Sequence, residues 1–254
     1  MVKEKIAIAI DGILLRLIDS KVGIAFTSRS QAIEHFLRKG LHDELLKTAV
    51  LMLKGDHQEY SMKKVKDESL LGEQVAFLKH YGIKDIHIVT QRSKYHESFR
   101  KEVERVRKKE HVSISVHEKE VKGNAEALSS IKQWLTENFV VMGGDLHMHF
   151  NLRNMIKKHL DFAKVATMGL MMRDKPVEFG NAVLDGDLIV NFIERPSKTR
   201  SYAVNAGIYV FSPQVFDYIK KVSSLEREVF PRLATDEQLV GHFTLGEYRH
   251  MEEG

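Results

Sequence analysis

Two observations predict an α/β protein in two parts, residues 1–46 and residues 47–254. From Thr48 onward, short apolar runs such as TAVLML, DIHIVT and FVVM alternate with stretches whose apolar residues recur at helical spacing. That rhythm implies an open, mostly parallel, Rossmann-like sheet covered by helices. Ahead of it lies a short alternating segment followed by two helical patterns, the outline of a small β-α-α unit.

Within the small unit, Lys5 to Asp11 alternates, with Ile6, Ile8 and Ile10 on one side and Lys5, Ala7 and Ala9 on the other. A period of two predicts a strand. Asp11 suits an N-cap, and Ile13, Leu14, Leu17, Ile18 and Val22 then recur at helical spacing until Gly23. Ser28 and Gln31 have capping-box spacing at the start of a second helix, whose apolar stripe is Ile33, Phe36, Leu37 and Leu41. A unit this small buries too little apolar surface alone, and a lone strand leaves its backbone groups unpaired. Antiparallel pairing of two copies meets both needs. The stretch resembles the ribbon-helix-helix DNA-binding domains, the group that includes the Arc and MetJ repressors. The resemblance implies double-stranded DNA as partner and a homodimer or dimer of dimers. It places base-reading positions at Lys5, Ala7 and Ala9, with Lys3 beside them, and a phosphate clamp at Ser28, Arg29 and Ser30. Alanine cannot hydrogen-bond a base edge, so the reading of DNA sequence is expected to be light and to lean on DNA shape.

A chain of 254 residues with 43% hydrophobic and 29% charged residues has the composition of a globular protein. The absence of cysteine excludes a disulfide framework and a cysteine-based metal site. No run of about 18 apolar residues and no signal-peptide pattern is present, so a cytoplasmic protein without a membrane partner is expected. A net charge of +4 fits a nucleic-acid partner but does not single one out.

The second part is read in order. Thr48–Leu53 is a continuous apolar run of the kind found in buried parallel strands. Glu73 to Tyr81 predicts a helix stopped by Gly82, and Asp85 to Thr90 a strand. Lys94 to Lys109 predicts a helix with Phe99, Val103 and Val106 inward and a solvated charged face. Val112 to Val116 is a strand, Ala125 to Leu135 a helix with Trp134 in the core, and Phe139 to Met142 a strand. Leu152 to His159 is helical and Val165 to Met171 a strand. After about residue 170 the pattern becomes richer in strands, with a turn at Asp185–Gly186–Asp187 inside Asn181–Ile193, and then Tyr202–Phe211. Sheets of this type bind ligands at the carboxyl ends of their strands.

Six landmarks stand in order along this part: LLGEQVAFLKHYGIKDIHIVT, GNAEAL, FVVMGGD, FIERP, YAVNAGIYVF and VFPRLA. Together they resemble the sugar-phosphate nucleotidyltransferases, which join a nucleoside triphosphate to a sugar 1-phosphate. The resemblance implies nucleotide contacts at Gly123 and Asn124, a magnesium aspartate at Asp145 after Gly144, and sugar-side contacts at Glu194, Arg195, Asn205 and Gly207. The chemistry needs a glycine-rich, basic loop for the triphosphate. The corresponding stretch Leu53–Met62 keeps Gly55, lacks the loop's arginine, and sets Asp56 and Glu59 where phosphate would sit, with Lys63, Lys64 and Lys66 out of register. His250 stands where a second magnesium aspartate belongs, and Glu252 or Glu253 substitute poorly. Asp145, His147 and His149 alternate on an extended segment and are read as loop residues near a pocket, without a metal assigned to them. The expectation is a domain that kept its pocket and lost its reaction. No catalytic residue or cofactor is then assigned, and magnesium enters at Asp145 if the domain is active. The whole reads as a DNA-binding transcription regulator, a pseudoenzyme whose second domain senses a nucleotide, sugar phosphate or nucleotide sugar or shapes the assembly. The alternative is an active sugar-phosphate nucleotidyltransferase whose first unit merely dimerises it.

Overall fold

In the computed structural model, residues 7–44, 46–220 and 223–251 are described. The chain divides into two compact units, Met1–Glu44 and Leu45–Gly254. Among the described residues no helix is long and apolar enough to cross a membrane.

The first unit shows two helices. Asp11 caps α1 (Gly12–Asp19), its carboxylate accepting from Ile13 N at 2.8 Å and Leu14 N at 3.2 Å. The helix stops ahead of Gly23 because the chain turns back there: Gly23 takes φ 85° and its N–H donates to Phe26 O at 2.8 Å. Ser28 Oγ accepts from Gln31 N at 3.2 Å at the start of α2 (Arg29–Glu44), while Gln31 Oε1 reaches back to Thr27 N at 2.8 Å. The reciprocal half of the cap thus falls one residue earlier than the Ser28 spacing predicts. Ala7 to Ile10 form no strand, and Lys3, Lys5 and Ile6 lie outside the described residues. Strand backbone must find ladder partners, and the described chain offers Ala7–Ile10 none. A ribbon-helix-helix fold is therefore not shown. Ile18 and Ala32 are buried, whereas Ile13, Leu14, Leu17, Phe36 and Leu37 are exposed.

The second unit is built on a nine-stranded sheet. Its strands are β1 (Thr48–Leu53), β2 (Asp85–Thr90), β3 (Ser113–Glu118), β4 (Phe139–Gly143), β5 (Ala166–Met172), β6 (Gly180–Asp185), β7 (Leu188–Glu194), β8 (Ala203–Phe211) and β9 (Leu239–Phe243). They lie in the order β3-β2-β1-β4-β8-β5-β9-β7-β6. The half β3-β2-β1-β4 is parallel throughout. Beyond it the sheet is mixed: β8 runs antiparallel to both β4 and β5, and β5 pairs with β9 in parallel. The expected mostly parallel sheet holds for the first half alone, because the hairpin β6–β7 and the returning β8 reverse direction.

Burial on both faces explains the apolar run of β1. Ala49, Leu51 and Leu53 face a core with Ile86, Ile88, Phe99 and Leu71, while Val50 faces another with Phe139, Tyr209, Phe211 and Phe230. Each fully buried side chain of this size contributes about 1.5–3 kcal/mol. The helices α3 (Gln58–Met62), α4 (Leu70–His80), α5 (His96–Glu110), α6 (Asn124–Ser129) and α7 (Leu152–Phe162) join the strands. Basic residues of α5 are taken up locally, Arg105 by Glu102 at 2.7 Å and Arg107 by Glu104 at 2.7 Å. Glu68 is also bonded by Arg105 and Lys109, which hold its carboxyl down at about 2. Trp134 is not a core residue. The predicted Ala125–Leu135 helix breaks after Ser129 into a separate 3₁₀ turn, which leaves Trp134 45% exposed and packed on the His117 ring at 4.7 Å.

Candidate active site

The carboxyl ends of β1, β2 and β4 open onto a cavity of about 970 Å³. Leu53 and Lys54 enter it after β1, Thr90 and Gln91 after β2, and Gly143 and Asp145 after β4. Gly144 stays behind the wall: its N–H donates to Met52 O at 2.8 Å, and a side chain there would press on Leu53 at 3.0 Å. This close approach brings Asp145 beside the end of β1.

Asp145 has a partner from the loop after β1. Its Oδ2 lies 2.8 Å from His57 Nδ1, and His57 is buried. The short helix α3 positions this contact, because His57 directly precedes it. Gln58, fully buried, donates to Thr90 Oγ1 at 3.1 Å and Gln91 O at 2.9 Å, while Ser93 Oγ donates to its Oε1 at 2.7 Å. Anchoring Gln58 turns the preceding residue, His57, towards Asp145. It also turns the acidic residues away: Asp56 has an 82% exposed side chain, and Glu59 accepts from Tyr95 OH at 2.7 Å. The expectation that Asp56 and Glu59 occupy the phosphate position is therefore corrected. Neither lines the cavity, and neither do Lys63, Lys64 or Lys66. His250, on a strand paired with Leu146–His149, brings Nε2 to 3.7 Å from Asp145 Oδ2.

This donor set does not fit magnesium. A hard cation wants oxygen ligands, and here one carboxylate, already bonded to an imidazole, faces a second imidazole. Among the described residues no three His, Asp or Glu side chains are grouped to hold a metal ion. His147 and His149 do not group with Asp145: both lie on the strand Leu146–His149, and the His149 ring packs edge-on against Phe77. Glu252 and Glu253 lie outside the described residues.

The other wall comes from β6, β7 and β8. Asn205 Oδ1 accepts from Gly207 N at 2.9 Å and its amide donates to Tyr209 OH at 2.7 Å. These bonds span the register shift between Asn205 and Tyr209 in the pairing of β8 with β5, and Gly207 takes φ 72° there. Arg195, at the end of β7, also has positive φ (48°), with its N–H donating to Phe179 O at 3.2 Å. Its guanidinium is 73% exposed at the cavity edge, 3.6 Å from Glu194. Burial, reinforced by Glu226, raises the Glu194 carboxyl above its usual range. A strained non-glycine residue held in this way is common at ligand sites.

The turn Gly123–Asn124 contacts this wall as well. A Cβ on Gly123 would strike Ser223 O. The Asn124 amide donates to both Glu226 oxygens at 2.9 and 2.8 Å and its Oδ1 accepts from Leu225 N at 2.8 Å. Glu226 lies in the first turn of a π-helical segment, Leu225–Val229, that runs into helix Phe230–Thr235. Asn124 thus holds protein rather than pointing free into the cavity. His57, Glu226, Tyr209, Lys54, Lys119 and Lys122 were missed from the sequence although the structure brings all of them to this site. The contacts of His57 and Glu226 join residues far apart in the chain, 88 positions for His57–Asp145 and 102 for Asn124–Glu226, so no local pattern marks them.

Fold and cavity together are those of an α/β domain with an open cavity at the carboxyl ends of its strands. The family model for nucleotidyl transferases matches residues 58–245, and the chain belongs to that family. A relative, mannose-1-phosphate guanylyltransferase catalytic subunit beta from Xenopus tropicalis, is 31% identical over 180 residues, covering 68% of this chain and 49% of that protein. The chain spans about half the length of the curated relatives it matches. A Bacillus anthracis structure assigned as a glucose-1-phosphate thymidylyltransferase, solved with sucrose, superposes with a TM-score of 0.70 at 20% identity, covering 81% of this chain and 89% of that one. UDP-glucose pyrophosphorylase complexed with UDP-glucose gives 0.66 at 14%, covering 80% and 92%; both show a shared fold. These relatives overturn the reading as a DNA-binding regulator with an inactive second domain. Double-stranded DNA as partner and the pseudoenzyme are withdrawn with it. Of the residues expected at DNA, Ala7 and Ala9 lie on no ribbon, Ser28 is engaged as a cap, and Arg29 is spent on Asp19 at 2.7 and 2.8 Å.

Proposed function

We propose that residues 47–254 transfer a nucleotidyl group from a nucleoside triphosphate to a sugar 1-phosphate, with GTP and mannose 1-phosphate the first pair to test. One observation carries the reading: Asp145, Glu194, Arg195 and the Asn205–Tyr209 bulge, from separate stretches of chain, face a single cavity at the strand ends. A sugar-phosphate oxygen attacks the α-phosphorus and forms the new O–P bond. The bond from that phosphorus to the bridging oxygen breaks, and the oxygen leaves on pyrophosphate with the electron pair. Such a reaction asks a protein for positioning and charge rather than covalent chemistry. Arg195 supplies a forked cation to the sugar phosphate. Glu194 accepts from sugar hydroxyls, and the bulge at Asn205 and Gly207 shapes the floor beneath the ring. Gly123 lets the Ser223 backbone close the turn, Asn124 keeps Glu226 in place, and Gly144 lets Asp145 approach β1. Residues 1–46 form a separate unit outside the reaction.

Pyrophosphate release across a panel of nucleoside triphosphates and sugar 1-phosphates tests this reading. Arg195→Ala is expected to lower kcat/KM for the sugar phosphate at least about tenfold. Failure of every pair to release pyrophosphate with wild-type protein sinks the proposal.

A further inference from the structure

We propose that Lys54, Lys119 and Lys122 form a phosphate clamp that replaces the basic glycine-rich loop this chain lacks; the identity of the anion as a nucleoside triphosphate rests on the function proposed above. Leu53–Met62 supplies no arginine, and its one lysine, Lys54, precedes Gly55. All three lysines line the cavity that holds Asp145 and Arg195. Among the described residues none of the three has a carboxylate within ion-pair distance, and Glu118, Glu126 and Asp145 near them already accept other hydrogen bonds. Glu118 is bonded by His96 at 2.9 Å and Arg100 at 2.8 Å, Glu126 accepts from Lys122 N at 3.2 Å, and Asp145 is held by His57. Lysines that line a cavity with no ion-pair partner of their own gain from an anion there.

The backbone fixes where they stand. Lys54 follows β1, and Lys119 follows β3 with its N–H donating to Thr90 O at 2.9 Å. β2 lies between them, so the two positions are about 10 Å apart at the usual strand spacing. Asp145 follows β4 on the far side of Lys54. The loop bearing Lys119 and Lys122 is pinned a second time by Gln91 Nε2, which donates to Val121 O at 3.0 Å. The backbone that carries these lysines is thus fixed along the strand ends before any ligand arrives, ordered for a chain of phosphates that runs towards Asp145.

Calorimetry on the full chain tests this with three probes: inorganic pyrophosphate, GTP and unphosphorylated guanosine. Lys54→Ala, Lys119→Ala and Lys122→Ala are each expected to weaken pyrophosphate and GTP about tenfold, to leave guanosine unchanged, and to flatten the salt dependence. Lys63→Ala, whose ammonium lies over the Tyr60 ring at 4.4 Å and outside the cavity, is expected to match wild type. Absence of pyrophosphate binding, indifference to all three substitutions, or equal weakening by Lys63→Ala overturns the clamp. If the lysines govern pyrophosphate binding but no substrate pair turns over, the clamp stands and the transferase reading falls. If turnover occurs and the variants bind normally, the reverse holds.

Discussion

Gly207→Ala isolates what the bulge in β8 requires. Gly207 sits at φ 72°, and a Cβ built there lies 2.5 Å from Leu146 Cδ1. An L-residue in that region costs about 1–2 kcal/mol. Displacing Leu146, which is buried at 4% exposure, adds about 1–3 kcal/mol of overpacking. The loss expected is therefore about 2–5 kcal/mol, or roughly 5–20 °C in Tm for a domain of this size. The two contributions can be separated. In a Leu146→Ala background the overlap disappears and Gly207→Ala should cost about 1–2 kcal/mol, a coupling of about 1–3 kcal/mol in a double-mutant cycle. Urea and thermal unfolding of the four proteins give the numbers. A single-variant loss under about 0.5 kcal/mol, or strict additivity in the cycle, would refute the account of why glycine stands there.

Two further outcomes follow from titratable groups, alongside the Arg195→Ala expectation. His159 is buried with Nδ1 3.1 Å from Thr167 Oγ1, and burial pushes its pKa down to about 4. The unfolded chain, with a histidine near 6.5, binds a proton first as pH falls, so stability present above about 6.5 is lost towards pH 4. Relative to His159→Gln, wild type should lose about 2–3 kcal/mol between pH 7.5 and 4.5 in urea unfolding, and equal curves would contradict this. Glu226→Gln removes a charge that helps to raise Glu194, so the Glu194 carboxyl, followed by carbon NMR, should titrate lower than in wild type. An unmoved midpoint would mean burial alone sets it.

The elements that were legible in the sequence owe it to burial. β1 reads as a strand because both its faces are covered, and α5 because Phe99, Val103 and Val106 are buried at helical spacing. Trp134 shows the limit: periodicity marks a stripe but not where the helix breaks, and the 3₁₀ turn rotated it into solvent beside His117. Ala7–Ile10 shows another, since alternation states a preference that becomes a strand only where a ladder partner exists. The more consequential error concerned charge. Linear position sets Asp56 and Glu59 against phosphate, but it does not give the direction a side chain faces. Gln58, tied to Thr90 and Gln91, turns them out and turns His57 in.

Loss of a loop therefore does not establish loss of a reaction. Phosphoryl-type chemistry requires positive charge at given points in space and is indifferent to which strand delivers it. Lys119 and Lys122 follow β3, yet hydrogen bonds to Thr90 O and from Gln91 bring their loop to the end of β2, beside Lys54. A reading that scores motifs in register counts the missing arginine and cannot count these substitutes. The same reasoning bears on Asp145. Its neighbours are two imidazoles, His57 at 2.8 Å and His250 at 3.7 Å. The bond to His57 thus fixes the orientation of the carboxylate within the protein.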